Sequence, residues 1–313
     1  MQKVKIRKTN LEVSALCMGG CPLGGYGWGD VSRTELINAV RTAVENGINF
    51  FDTADTYGLG ESERTLAEAL GTDKNRVIIT TKFGVRVENG KTFYDNSREY
   101  IFKAVEGSLK RLDRDYIDLY QVHYRDGKTP LSDVVESLEI LKEQGKIRYY
   151  GLSNVHKEDA EDLKSLTSNP FVSFQNEFSL ACRKTEEEMF AFRDECQMTP
   201  FTWGSLGQGI LSGKYDKNCK FQSNDRRSRE IYVNFHGEKL LKNLEIVEVL
   251  KEIASEIGKS VSSVAIRWIM DYLKDSVVLV GATSPNQVLQ NKESLSFQLN
   301  DEHIKKLESI SKE

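Results

Sequence analysis

Eight short apolar runs recur along this chain, and longer segments with helical spacing lie between them. The runs are ALCMGG, INFFDT, RVIITTK, YIDLYQVH, KIRYYGLS, FVSFQNE, TPFTWG and SVVLVG. Each is rich in β-branched or aromatic residues and short enough to be a strand. Each is also nearly continuous in its apolar character, as expected of strands covered on both faces in a parallel sheet. Apolar residues fall at helical intervals over Glu35–Asn46, Ser62–Leu70, Arg98–Leu112, Leu131–Gln144, Lys157–Leu166, Glu186–Cys196, Lys239–Gly258 and Val261–Leu273. Ser32 and Ser97 read as N-caps, and Asn46-Gly47 and Gln144-Gly145 as helix stops. Eight such units predict an α/β fold, a closed (β/α)8 TIM barrel. The alternating stretch VKIRKTNLEVS ahead of them predicts a short β-hairpin capping the barrel bottom. A doubly wound sheet is the competing architecture. It would call for G-x-G-x-x-G straight after the first strand, and the glycines of GGCPLGGYGWG do not keep that spacing.

A barrel of this kind accommodates all 313 residues as one domain, 1–313. The composition, 39% hydrophobic and 29% charged, belongs to an ordinary globular chain and not to a disordered one. The formal net charge is −4 with both signs interleaved, so no basic footprint for nucleic acid is present. No segment approaches the roughly 18 apolar residues of a membrane span, and MQKVKIRKTN has no apolar h-region behind its charges. A cytoplasmic protein is expected. Cys17, Cys21, Cys182, Cys196 and Cys219 lack Cys-x-x-Cys spacing, which argues against a disulfide framework and a structural zinc site. Reduced thiols in core or loop, and no metal, are expected.

Barrels of this type carry their chemistry at the C-terminal ends of the strands. Polar or ionisable residues stand at that point in run after run: Asp52, Lys82, His123, Ser153 with Asn154, and Gln175. Singly, Asp52 is explicable as a turn cap, Lys82 as a snorkelling surface lysine and His123 as a satisfied half-buried histidine. Repetition at equivalent positions argues for one shared rim. FFDTADTYGLGESE adds Tyr57 to it. A phenol with its ordinary pKa of about 10 gives up a proton near neutrality only if nearby positive charge stabilises the phenolate. Lys82 supplies such a charge if a carboxylate keeps it cationic in the cleft, and Asp52 is placed to do so. His123 then serves as a neutral hydrogen-bond donor to a carbonyl oxygen near Tyr57. The four together describe polarisation and protonation of a carbonyl.

At these residues the chain resembles the aldo-keto reductase superfamily, including the branch that contains potassium-channel β subunits. FFDTADTYGLGESE resembles the family's second-strand motif, ITTKFG carries its Lys and DLYQVH its His, while EQGKIRYYGLSNV and FVSFQNEFS resemble its fifth and sixth strands. The resemblance implies a barrel that binds an extended nicotinamide cofactor and transfers hydride to an aldehyde or ketone, with Tyr57 as general acid. It further implies that Ser153, Asn154 and Gln175 hold the carboxamide and that Trp203 stacks on the nicotinamide. GSLGQGILSGKY resembles the loop over the pyrophosphate, with Gly204, Leu206, Gln208 and Lys214 as contacts. VGATSPNQVLQN resembles the adenosine-phosphate motif, with Gly281, Thr283 and Gln287 where the family usually has basic residues for a 2′-phosphate and Asn291 as a further contact. NADPH is the cofactor expected from the family, and NADH is possible because Ser284, Gln287 and Asn291 hydrogen-bond but do not neutralise.

Residues 205–236 carry little regular pattern and are long enough for a functional lid. The NDRRSR run within them reads equally as lid contact or solvated surface. Tyr26, Trp28, Phe83, Val85 and Tyr124 are candidate pocket walls for a small carbonyl substrate; Tyr26 and Trp28 are equally explicable as loop packing. Two other functional classes fit the same residues. One is a cofactor-binding sensor or regulatory subunit, and the other an epimerase or lyase that recycles its nicotinamide. Neither the physiological substrate nor the oligomeric state is legible.

Overall fold

The computed structural model describes residues 2–312. Eight parallel strands close into a barrel: β1 Leu16–Gly19, β2 Phe50–Asp52, β3 Ile78–Phe83, β4 Ile117–Val122, β5 Ile147–Ser153, β6 Ser173–Glu177, β7 Thr199–Trp203 and β8 Val277–Gly281. Each pairs with its neighbours in sequence, and β8 closes the ring on β1 with Val278 opposite Leu16 and Gly281 opposite Gly19. All eight are the apolar runs of the sequence. The reason is visible in β4, buried along its whole length with one face inward and the other under helices. Each fully buried side chain of the size of Leu119 or Phe201 stabilises the fold by about 1.5–3 kcal/mol.

The outer layer comprises α1 Arg33–Glu45, α2 Glu61–Leu70, α3 Arg98–Leu112, α4 Leu131–Glu143, α5 Ala160–Ser165, α6 Glu186–Asp194, α7 Gly237–Ile257 and α8 Val261–Leu273, then α9 Pro285–Lys292 and α10 Asp301–Ser311. Ser32 and Ser97 are N-caps as expected, accepting from the amides of Glu35 and Tyr100. The segment expected as one helix over Lys157–Leu166 is a 3-10 turn, Lys157–Asp159, running into the short α5. Helices α9 and α10 extend the expected set, capped by the side chains of Ser284 and Asn300.

The N-terminal hairpin pairs Lys3–Lys5 with Glu12–Ser14. It covers the N-terminal ends of the strands: the Arg7 amide donates to Thr199 Oγ1 at 2.8 Å, and Lys8 Nζ donates to the carbonyls of Asn169, Phe171 and Cys196. A second hairpin, Val85–Glu88 with Lys91–Tyr94, rises from the opposite rim between β3 and α3. Its turn is Asn89-Gly90, with φ of 51° and 73°. Asn and Gly are the residues that accept positive φ at both centres of a tight hairpin turn.

Candidate active site

Asp52 ends β2, Lys82 lies one residue from the end of β3, and the register sets Asp52 beside Thr80 and Lys82 beside Gln121. The barrel therefore brings the two charges together inside its mouth. Lys82 Nζ lies 2.6 Å from both Asp52 carboxylate oxygens and donates to the Thr53 carbonyl at 3.0 Å. Neither side chain is more than 4% exposed. Asp52 Oδ2 also accepts from Gln175 Nε2 at 2.9 Å. Two buried charges are stable together only when paired and hydrogen-bonded, and this pair is both.

Tyr57 leans over the pair. Lys82 Nζ is 5.3 Å from the centroid of its ring, and the His123 ring meets that ring edge-on at 5.6 Å and 81°. Burial holds the Tyr57 phenol protonated well above its ordinary pKa, and Asp52 adds to that hold; Arg226 acts in the opposite sense. Burial pushes the His123 imidazole well below its ordinary pKa, and the Lys82 charge pushes the same way. His123 is thus neutral at pH 7. Its Nδ1 is buried without a partner, which leaves Nε2 as the nitrogen able to serve the cleft.

The residues expected around a carboxamide converge. Ser153 Oγ donates to the Gln175 carbonyl at 3.1 Å, and Asn154 Nδ2 donates to the His123 carbonyl at 3.0 Å and to Ser153 Oγ at 3.2 Å. Trp203 Nε1 donates to Asn154 Oδ1 at 3.2 Å. Gln175 is engaged through Nε2, and among the described residues its Oε1 has no protein partner, so one amide acceptor stays available beside the pair. An uncharged acceptor next to a hydroxyl suits a carboxamide.

Gly204, Leu206, Gln208 and Lys214 line the loop after β7, but their side chains differ in availability. Gln208 is held at both ends, donating to Glu177 Oε1 at 3.2 Å and accepting from Asn234 Nδ2 at 2.6 Å. Lys214 is exposed, its Nζ 4.9 Å from the centroid of the Tyr215 ring. Gly281 ends β8, and Thr283, Gln287 and Asn291 follow on the next loop and on α9. Gln287 Oε1 accepts from both the amide and the hydroxyl of Thr283, at 2.9 and 3.2 Å.

At the mouth, Phe83 departs from expectation and the NDRRSR run follows one of its two readings. Phe83 is fully buried against Tyr120, with ring centroids 4.7 Å apart, and so belongs to the core and not to a pocket wall. The NDRRSR run packs instead of floating in solvent: Asp225 is buried and ion-paired to Arg227 at 2.5 Å, while Arg226 reaches back to the loop after β1. Tyr26 is 66% exposed, whereas Tyr94, Tyr124 and His123 form a column of stacked rings at 5.0 and 5.2 Å.

The chain belongs to the aldo/keto reductase family. The family model matches residues 15–312. The chain is 33% identical to the aldo-keto reductase YhdN of Bacillus subtilis over 99% of this chain and 93% of that one. It is 32% identical to a probable voltage-gated potassium channel subunit beta of Oryza sativa subsp. japonica, over 99% and 96%. Among solved structures it is similar to a glycerol dehydrogenase from Gluconobacter oxydans, with a TM-score of 0.88, 30% identity and coverage of 98% and 94%.

Within this reductase barrel lies a second buried network that escaped sequence reasoning. Glu63, on the first turn of α2, is fully buried, accepting from Thr81 Oγ1 at 2.7 Å and from Arg111 Nε at 2.5 Å. Asp55 lies nearby, accepting from Tyr100 Oη at 3.3 Å, with Oδ1 buried and unpartnered. Burial first, then the Glu63 charge, pushes Asp55 up to about 7. Gln121 was missed too: it joins Thr80 to Gln175 through its Oε1, at 3.0 and 3.2 Å. Its signal is a lone amide in an apolar strand, two residues before His123 and so on the same face.

Proposed function

We propose that the protein reduces an aldehyde or ketone to an alcohol with a nicotinamide cofactor, Tyr57 acting as general acid. The observation that carries this reading is the convergence of the Asp52–Lys82 pair, Tyr57 and a neutral His123 at one barrel mouth. His123, unable to hold a proton charge there, orients the substrate oxygen by donating a hydrogen bond. Tyr57 gives its proton to that oxygen. Lys82, kept cationic by Asp52, steadies the charge left on the phenol. Ser153, Asn154 and Gln175 would hold the carboxamide, Trp203 would cover the ring and brace Asn154, and Gly204, Leu206, Gln208 and Lys214 would flank the pyrophosphate. When bound, the reduced nicotinamide supplies the hydride.

The cofactor we assign is NADPH, by family likeness, with Gly281, Thr283, Gln287 and Asn291 at the adenosine end; none of these four is cationic, which leaves NADH as the second choice. The substrate we assign is a small carbonyl compound. The likeness to a channel β subunit favours a second reading, a cofactor-binding sensor built on the same residues, and turnover separates the two. The test is loss of reduced-nicotinamide absorbance with NADPH and NADH across aldehydes, ketones and keto sugars. Tyr57→Phe should lower turnover by roughly 10²–10⁴-fold while cofactor binding, read by fluorescence, is retained. Near-normal turnover in that variant defeats the assignment.

A further inference from the structure

Gln121 is fully buried in the wall of the barrel, and its side chain bonds to three other strands. It sits on β4 with Lys82 of β3 and Gly151 of β5 as its register neighbours. Gln121 Oε1 accepts from Thr80 Oγ1 of β3 at 3.0 Å and from Gln175 Nε2 of β6 at 3.2 Å, and Gln121 Nε2 donates to the Leu152 carbonyl of β5 at 3.3 Å. Thr80 and Gln175 are buried with it.

These partners leave one orientation for each amide. The Leu152 carbonyl can only accept, so it takes the amino end of Gln121 and turns Oε1 toward Thr80 and Gln175. Gln175 in turn has two amide protons, one given to Asp52 Oδ2 at 2.9 Å and the other to Gln121 Oε1. A single bond to Asp52 would let the amide swing about it; a second partner on a different strand fixes its plane. With both protons taken, what Gln175 still offers is Oε1, for which no described residue is a donor. That oxygen belongs to the residue whose backbone carbonyl accepts from Ser153 Oγ.

We propose that Gln121 is a positioning residue for the nicotinamide cofactor: by holding the second N–H of the Gln175 amide, it turns Gln175 Oε1 to the cleft as the acceptor for the carboxamide N–H. The inference rests on the reading above, in which Gln175 holds the carboxamide. Gln121 itself touches no cofactor in this arrangement. It acts through Gln175, and the same bond keeps the other Gln175 proton on Asp52, the residue that pairs with Lys82.

The test measures binding of NADP⁺ and of its 3-acetylpyridine analogue, which keeps the carbonyl oxygen and lacks the N–H donor. Wild type, Gln121→Met and Gln121→Glu are compared at pH 6 by quenching of tryptophan fluorescence, and urea denaturation of each reads stability separately. Wild type should favour NADP⁺ about 10-fold, the worth of one hydrogen bond. Methionine has the length of glutamine and no acceptor for Gln175, so Gln121→Met should bind the two cofactors to within about 2-fold of each other. Glutamate, held neutral by burial, keeps an oxygen for Thr80 and Gln175 and an O–H for the Leu152 carbonyl, so Gln121→Glu should restore most of the preference. A preference that survives intact in Gln121→Met, with stability alone reduced, overturns the proposal and makes Gln121 a core amide. A folded Gln121→Glu that binds both cofactors equally overturns it as well, whether or not the methionine variant folds. Equal binding of the two by the wild type would instead sink the assignment of Gln175 to the carboxamide, and this inference with it.

Discussion

Replacing Lys82 with Met should destabilise the protein far more than removing the whole Lys82–Asp52 pair. At 2.6 Å, with an effective dielectric constant of about 20, two unit charges attract by about 6 kcal/mol. Desolvating two ions that are at most 4% exposed consumes a comparable amount, so the pair contributes little net stability. Met fills the lysine's aliphatic stem but leaves a buried carboxylate, with one hydrogen bond from Gln175 and no counter-charge. Breaking a buried pair in this way costs about 3–5 kcal/mol, a large share of a typical total of about 5–15 kcal/mol. Asp52→Asn with Lys82→Met should recover most of the loss, because the asparagine keeps an acceptor for Gln175 and carries no charge. Urea denaturation of the wild type, both single variants and the double variant, followed by tryptophan fluorescence and far-ultraviolet circular dichroism, gives the coupling energy. Turnover should be lost in Lys82→Met and in the double variant alike. A Lys82→Met protein within about 1 kcal/mol of wild type, or a double variant no more stable than that single one, would refute the reasoning.

Two further outcomes follow from the geometry. Asp55 is raised to about 7, so the folded state binds its proton more tightly than the unfolded chain does. The stability this contributes is fully present at acid pH and is lost as pH rises from about 4 to about 7, by up to about 4 kcal/mol. Asp55→Asn should abolish that part of the slope and be the more stable protein at pH 8; chemical denaturation at several pH values reads it, and an unchanged slope counts against it. Thr283→Arg places a guanidinium at the start of α9 and should tighten NADPH about 10-fold relative to NADH, the worth of one charge-assisted contact of about 1.4 kcal/mol. Equal affinities before and after the change would mean that the phosphate lies elsewhere.

Local pattern reported the elements well where one element's own faces were at stake. β4 reads as a strand because both faces are buried, and α3 reads as a helix because one face is. Pattern failed where stability came from elsewhere. The hairpin at Asn89-Gly90 is signalled by its turn residues alone, its strand Lys91–Tyr94 being exposed throughout. Helix α5 is cut to six residues with a single buried side chain, Leu163, so its helical spacing has little to pack against. Glu63 follows Glu61 on the same first turn, and nothing local distinguishes the exposed-side acid from the one that α3 covers with Arg111.

The amino-acid sequence by itself determined the barrel, its closure by eight strands, and the rim positions of Asp52, Lys82, His123, Ser153, Asn154 and Gln175. Those follow from periodicity and from the strand ends, which are properties of contiguous residues. Only the tertiary structure decided that Asp52 holds Lys82 through both carboxylate oxygens, that Phe83 turns into the core, and that Asp55 and Glu63 share a buried network. It also decided that Arg226, some 200 residues from Tyr26 and Gly27 in the chain, donates to the carbonyls of both. Loop ends meet through the geometry of closure, and no pattern within a loop records which distant strand end will face it.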